Sequence, residues 1–105
     1  MQTIKNHITL IGNMGENAQI TNFDNGSKVA RFNLATNKYP SNSKAATPDW
    51  HRVFAWGNLA RFIEEYGEKG RQLAIHGRLV SRTYLNKEGK PLKVTEVEVK
   101  HVIGL

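Results

Sequence analysis

The chain has 105 residues, 39% hydrophobic and 23% charged, a balance that suits one soluble globular domain over residues 1–105 and argues against wholesale disorder. It has no cysteine, which excludes disulfides and thiolate chemistry. No apolar run approaches the roughly 20 residues of a membrane helix, and the N-terminus has no signal-peptide core, so a cytoplasmic location is expected. Fifteen Lys and Arg against nine Asp and Glu give a net charge of +6, which favours a polyanionic partner.

A first strand is predicted from His7 to Ile11, with Ile8 and Leu10 on one face and Thr9 and Ile11 on the other. Gly12 and Gly15 interrupt it as in a bulge or bend, and the pattern resumes from Ala18 to Phe23. Asp24-Asn25-Gly26 is a hairpin turn, because Asn-Gly supplies the positive φ that such turns need. The return strand, Lys28 to Thr36, points Ala30, Phe32 and Leu34 at the core and Arg31 and Asn33 outward. The stretch from Asn37 to Pro48 is polar, and Tyr39 with Lys38 and Lys44 makes it either a flap over a ligand or a plain solvated loop.

The strand Asp49 to Trp56 is the most informative. Period-two alternation sets Trp50, Arg52, Phe54 and Trp56 on one face and His51, Val53 and Ala55 on the other. Rings interleaved with cations suit unpaired bases, since rings stack on bases while cations meet phosphates. The competing reading is that these large residues fill a core, which sits badly with an arginine among them. His51 faces away from the tryptophans and suits packing or an interface better than catalysis.

Asn58 is expected to cap a short helix whose Leu59, Phe62, Ile63 and Tyr66 form one apolar stripe. Gly67 and Gly70 end it, with Lys69 near its negative end. A long strand from Arg71 to Leu85 is expected to bury Leu73, Ile75 and Leu79, with Gly77 marking a bend. Its other face carries His76, Arg78, Val80, Arg82 and Tyr84, a second basic and aromatic set. After a hairpin tip at residues 86–91, the last strand is expected to bury Val97, Val99 and Ile103 and expose Glu96, Glu98 and Lys100.

Five strand regions with one short helix between the third and fourth predict an all-β OB-fold, a five-stranded Greek-key barrel. An SH3-like barrel accommodates a full helix there poorly. The four histidines, His7, His51, His76 and His101, are far apart in sequence, so no metal site is predicted. Glu64, Glu65 and Glu68 read as solvating charges on the helix. Gly12 to Gly15 is too short to cradle a phosphate, and no nucleophile motif points to an enzyme or a cofactor. The sequon Asn25-Gly26-Ser27 has no secretory signal to make it relevant.

Ile8 to Gly15, the Asn25-Gly26 hairpin, Phe32 to Thr36, Asp49 to Val53 with Trp56-Gly57, Tyr66 with Lys69-Gly70, and Ile75 to Leu79 together resemble, in order, the bacterial single-stranded DNA-binding protein family. The resemblance covers His7 to Ile103. It implies an OB-fold that assembles as a homotetramer and wraps unpaired DNA in replication, recombination and repair without reading its sequence. It places Trp50, Trp56 and Tyr84 at base-stacking positions and Arg52 and Arg82 at DNA-facing ones. Phe54, Lys69 and Arg78 join the candidate DNA-binding set, and Tyr39 lies beside a further stacking position. His51 matches a subunit contact, with Thr9 and Ile11 as further interface candidates.

Family members continue into a Gly/Pro/Gln-rich linker and an acidic tip that recruits other enzymes. This sequence ends at Leu105, so recruitment through such a tail is not expected of it. The alternative is a primosomal replication accessory protein, a tailless dimeric OB-fold relative that works mainly through protein contacts. Solution mass separates the two. RNA binding stays open, because stacking alone does not exclude a 2′-hydroxyl.

Overall fold

A computed structural model describes residues 5–37 and 47–105. Tyr39, Lys38 and Lys44 lie outside the described residues. The elements are β1 (Ile8–Met14), β2 (Gln19–Asn22), β3 (Lys28–Asn37), β4 (Pro48–Trp56), α1 (Asn58–Tyr66), β5 (Gln72–Leu85) and β6 (Pro91–Gly104).

The sheet closes on itself. β1 pairs with β5, β5 with β6, β6 with β4 and β4 with β3, and β3 returns to β1 through Asn13↔Ala35 and Met14↔Leu34. The β4–β6 pair, at Val53↔Val97 and Phe54↔Glu98, is parallel. β2 continues along the same edge of β3, with Gln19 opposite Arg31, so β1 and β2 are two arms of one bent strand. The result is the five-stranded OB-fold barrel, with its helix between the third and fourth barrel strands.

Alternation fills the interior. Ala30, Phe32 and Leu34 from β3, Val53 and Ala55 from β4, Leu73 and Ile75 from β5, and Val97 and Val99 from β6 form the core with Met14, Ala60 and Ile63. The Val, Leu, Ile, Phe and Met side chains among these stabilise by about 1.5–3 kcal/mol each when fully buried. Of the two expected interruptions, β1 runs through Gly12 and ends just before Gly15. A Cβ on Gly12 would collide with the Ala35 carbonyl, so the glycine lets β1 approach β3 closely enough to shut the ring.

Three burial expectations need correction. His76 pairs with His101 but Gly77 with Val99, which leaves Lys100 unpaired in a bulge. The extra residue reverses the alternation in β6, so Val102 packs on the core while Ile103 is 62% exposed. Leu79 is also exposed, because β1 ends opposite Gly77. Past that point the Asn6 side chain continues the ladder, donating to the Leu79 carbonyl and accepting from its N–H. Glu96 is buried rather than solvated, for reasons given below.

The helix differs from expectation at both ends. Gly57, with φ of 62°, occupies the N-cap and Asn58 makes no side-chain cap. Ala60 and Ile63 are buried, whereas Tyr66 is exposed and packs on Phe62 with ring centroids 4.8 Å apart. The side of the helix that meets the barrel is thus turned away from Tyr66. Glu64 is not simply solvated, since Lys28 donates to it at 2.5 Å.

Candidate nucleic-acid interface

β4 carries its bulky residues outward. Val53 and Ala55 take the interior, Trp50 is 58% exposed and Trp56 43% exposed. That decides against the core reading for both tryptophans. Trp50 lies so close to Gly15 that a Cβ there would strike its six-membered ring. Trp56 stacks on Phe23, with centroids 5.9 Å apart and planes inclined at 29°. Phe23 is itself exposed, so the two rings make one platform where the β2–β3 turn meets the end of β4. In sequence, Phe23 stands out only as a strand end. Its position just before Asp24-Asn25-Gly26 was the available signal, but the contact depends on the β3–β4 register, Val29↔Trp56.

Phe54 shares the outward face but is only 9% exposed. The Arg31 guanidinium sits over its ring, 5.3 Å from the centroid. Arg31 therefore joins the site, although strand alternation marks it only as outward-facing.

The register lays a belt across the outer surface. Gln19 lies opposite Arg31, Arg31 opposite Phe54, Phe54 opposite Glu98 and Glu98 opposite Arg78. Beside it, Arg31, Arg52, Arg82, Asn17, Gln19, Asn33 and Glu96 line a shallow hollow of about 240 Å³. The Lys69 backbone N–H donates to the Oδ1 of Asn17, one of the residues lining this hollow, at 2.8 Å.

The arginines differ in their pairing. Arg82 Nε–H donates to Glu96 Oε1 at 2.6 Å and Arg31 donates to Glu96 Oε2 at 2.9 Å. These two guanidiniums cover the Glu96 side chain, which is 5% exposed, and an otherwise costly buried carboxylate is satisfied by them. Arg82 also lies 5.8 Å from the Tyr84 ring centroid, and Tyr84 is half-buried. Arg78 donates to Glu98 at 2.7 Å, and Lys100 lies 3.5 Å from the same carboxylate. Desolvation pushes the Glu98 pKa up, but the Arg78 hydrogen bond, together with the Lys100 and Arg78 charges, outweighs it and holds the carboxyl below its ordinary range. Arg52 is exposed and makes no ion pair among the described residues.

The interface candidates lie elsewhere. His51 is half-buried, its Nε2 2.9 Å from Thr36 Oγ1. Thr9 is opposite His76 and Ile11 opposite Ala74, while His76 is opposite His101 and Ala74 opposite Ile103. The β1–β5–β6 exterior therefore presents a histidine row beside an apolar row with Ile11 and Ile103 exposed. His7 and His76 meet edge to face at 4.1 Å and His76 stacks on His101 at 5.5 Å, so three histidines far apart in sequence are neighbours. Desolvation, then the charges of His7 and His101, lowers the pKa of His76. Among the described residues no three His, Cys, Asp or Glu side chains converge to hold a metal ion.

A profile of the single-strand binding protein family matches residues 5–105. The chain is 33% identical over 102 residues to a single-stranded DNA-binding protein of Bacteroides thetaiotaomicron, covering 92% of this chain and 63% of that protein. It is 38% identical over 96 residues to single-stranded DNA-binding protein 1 of Chlorobaculum tepidum, covering 88% of this chain and 59% of the relative. The chain thus spans about three-fifths of the length of these curated relatives. A solved structure of the Plasmodium falciparum SSB complex with ssDNA superposes with a TM-score of 0.84 at 31% identity, covering 100% of this chain and 98% of that one.

Proposed function

As this chain belongs to the single-strand binding protein family, we propose that it binds single-stranded DNA without reading its sequence and protects it during replication, recombination and repair. The observation that carries this reading is the outward face of β4, where two half-exposed tryptophans flank Arg52, which makes no ion pair among the described residues. Trp50, Trp56 and Tyr84 stack on bases, each stack being worth roughly 1–3 kcal/mol. Arg52, Arg31, Arg78, Arg82 and Lys69 meet phosphates, and Phe23 extends the Trp56 platform. Phe54 supports Arg31 from below.

The binding domain is the whole chain, and it works without a cofactor or a chemical step. No helix among the described residues is long and apolar enough to cross a membrane, and the setting proposed is the nucleoid. Copies of the chain assemble as a homotetramer through His51, Thr9 and Ile11, for which the exposed Ile11 and Ile103 beside Ala74 supply an apolar row.

The test is a titration with oligo(dT), oligo(rU) and duplex DNA at two salt concentrations, following tryptophan fluorescence. Oligo(dT) should quench strongly and duplex weakly. Unchanged fluorescence with oligo(dT), or tighter binding to duplex, sinks the proposal.

A further inference from the structure

We infer that Glu96 is a positioning residue for nucleic-acid binding: one buried carboxylate that orients Arg31 and Arg82 at the shallow hollow they line and cancels one of their two charges. The inference rests on the single-strand-binding reading above. Arg31 is on β3 and Arg82 on β5, strands kept apart in the sheet by β4 and β6. Glu96, on β6, ties them together at 2.9 and 2.6 Å.

Each guanidinium is also placed near an aromatic ring, Arg31 over Phe54 and Arg82 over Tyr84. Ring, cation, carboxylate, cation and ring thus form a chain across four strands. An arginine has five N–H donors in a planar fork, so a bond to Glu96 leaves other donors free. Both arginines remain close to half-exposed while the carboxylate beneath is sealed. Their free edges open on the hollow shared with Arg52 and Asn33. A purely structural ion pair gains nothing from that exposure, because its attraction is screened by water.

Two cations sharing one anion leave one net positive charge. Each phosphate neutralised on a single strand adds about 0.7 to the slope of log affinity against log salt. Glu96 therefore makes binding less salt-sensitive than the arginines alone would, and compensates by fixing the guanidiniums in place. Removing its charge should raise the electrostatic part of the affinity and lower the rest.

The experiment measures oligo(dT) binding across a salt series for the wild type, Glu96→Gln and Glu96→Asp, each first shown by melting to be folded at the assay temperature. Glu96→Gln is expected to steepen the slope by about 0.7, binding more tightly than wild type at low salt and more weakly at high salt, so that the two lines cross. Glu96→Asp keeps the charge and should keep the wild-type slope. A Glu96→Gln line parallel to wild type overturns the inference, as does equal steepening in Glu96→Asp. Should Glu96→Gln fail to fold, the Arg82 Nε–H resonance of the wild type decides. It is expected to exchange slowly with solvent and to persist at saturation with oligo(dT). Its loss on adding oligo(dT) would mean that phosphate displaces Glu96, which also overturns the inference. A wild type that does not bind oligo(dT) removes the binding function itself, whereas a wild type that binds with parallel lines removes only the role of Glu96.

Discussion

At the scale of single residues, tryptophan and arginine make separable contributions. Trp50→Ala and Trp56→Ala should each weaken oligo(dT) binding by about 1–3 kcal/mol and leave the melting temperature nearly unchanged, because both rings lie outside the core. A variant that unfolds, or binds normally, is misassigned. Phe23→Ala should act in the same direction as Trp56→Ala, since it removes the ring on which Trp56 stacks. Arg52 makes no ion pair among the described residues, so Arg52→Ala should reduce the salt slope by about 0.7. Trp56→Ala should leave that slope unchanged, because stacking displaces no counterion. An Arg52→Ala variant with the wild-type slope would move the phosphate path to other cations.

At the scale of elements, the barrel depends on strands approaching where no side chain fits. A Cβ on Gly77 would collide with the Glu98 carbonyl, and one on Gly12 with that of Ala35. Both obstacles are backbone atoms of a neighbouring strand and cannot simply rotate away. Gly77→Ala should therefore cost about 1–3 kcal/mol as an overpacked site, read as a lower denaturant midpoint at unchanged m-value. The helix is held by Ile63, which is fully buried. Ile63→Ala should cost about 2–5 kcal/mol. The contrasting control is Tyr66→Ala, which should cost less because Tyr66 is exposed.

At the scale of the whole molecule, the proposed assembly residues Thr9 and Ile11 and the histidine cluster share the exterior of β1, β5 and β6. If copies associate through this face and His51, Ile11→Glu and His51→Glu should each lower the mass measured by light scattering while the barrel stays folded. Unchanged mass at micromolar concentration would place the contacts elsewhere. His76 has its pKa lowered in the folded chain from an ordinary value of 6.5, by desolvation and then by His7 and His101. Below that value the unfolded chain binds more protons than the folded one, so stability should fall as pH drops from 7 through the folded-state pKa. His76→Gln should flatten that part of the melting-temperature profile, and an identical profile would show that the cluster does not titrate in this window. Glu98 acts at lower pH. Its pKa is lowered in the fold, so its contribution is present above its ordinary pKa and is lost as pH falls through the folded one.

Several features were legible in the sequence because they depend on near neighbours. Strand alternation needs only a run of residues, so the outward Trp50, Arg52 and Trp56 and the inward Val53 and Ala55 could be read directly. The Asn25-Gly26 turn and the core face of β3 followed in the same way, as did the order of strands and helix that points to this barrel. Tertiary structure decided what alternation cannot carry across a bulge or past the end of a neighbouring strand. Lys100 slips the register and turns Ile103 outward, and β1 stops opposite Gly77, so Leu79 is uncovered. Packing also brought together His7, His76 and His101, placed Phe23 against Trp56, and buried Glu96 beneath two arginines. In each of these the deciding neighbour is distant in sequence, and only closure of the barrel determines which distant residues meet.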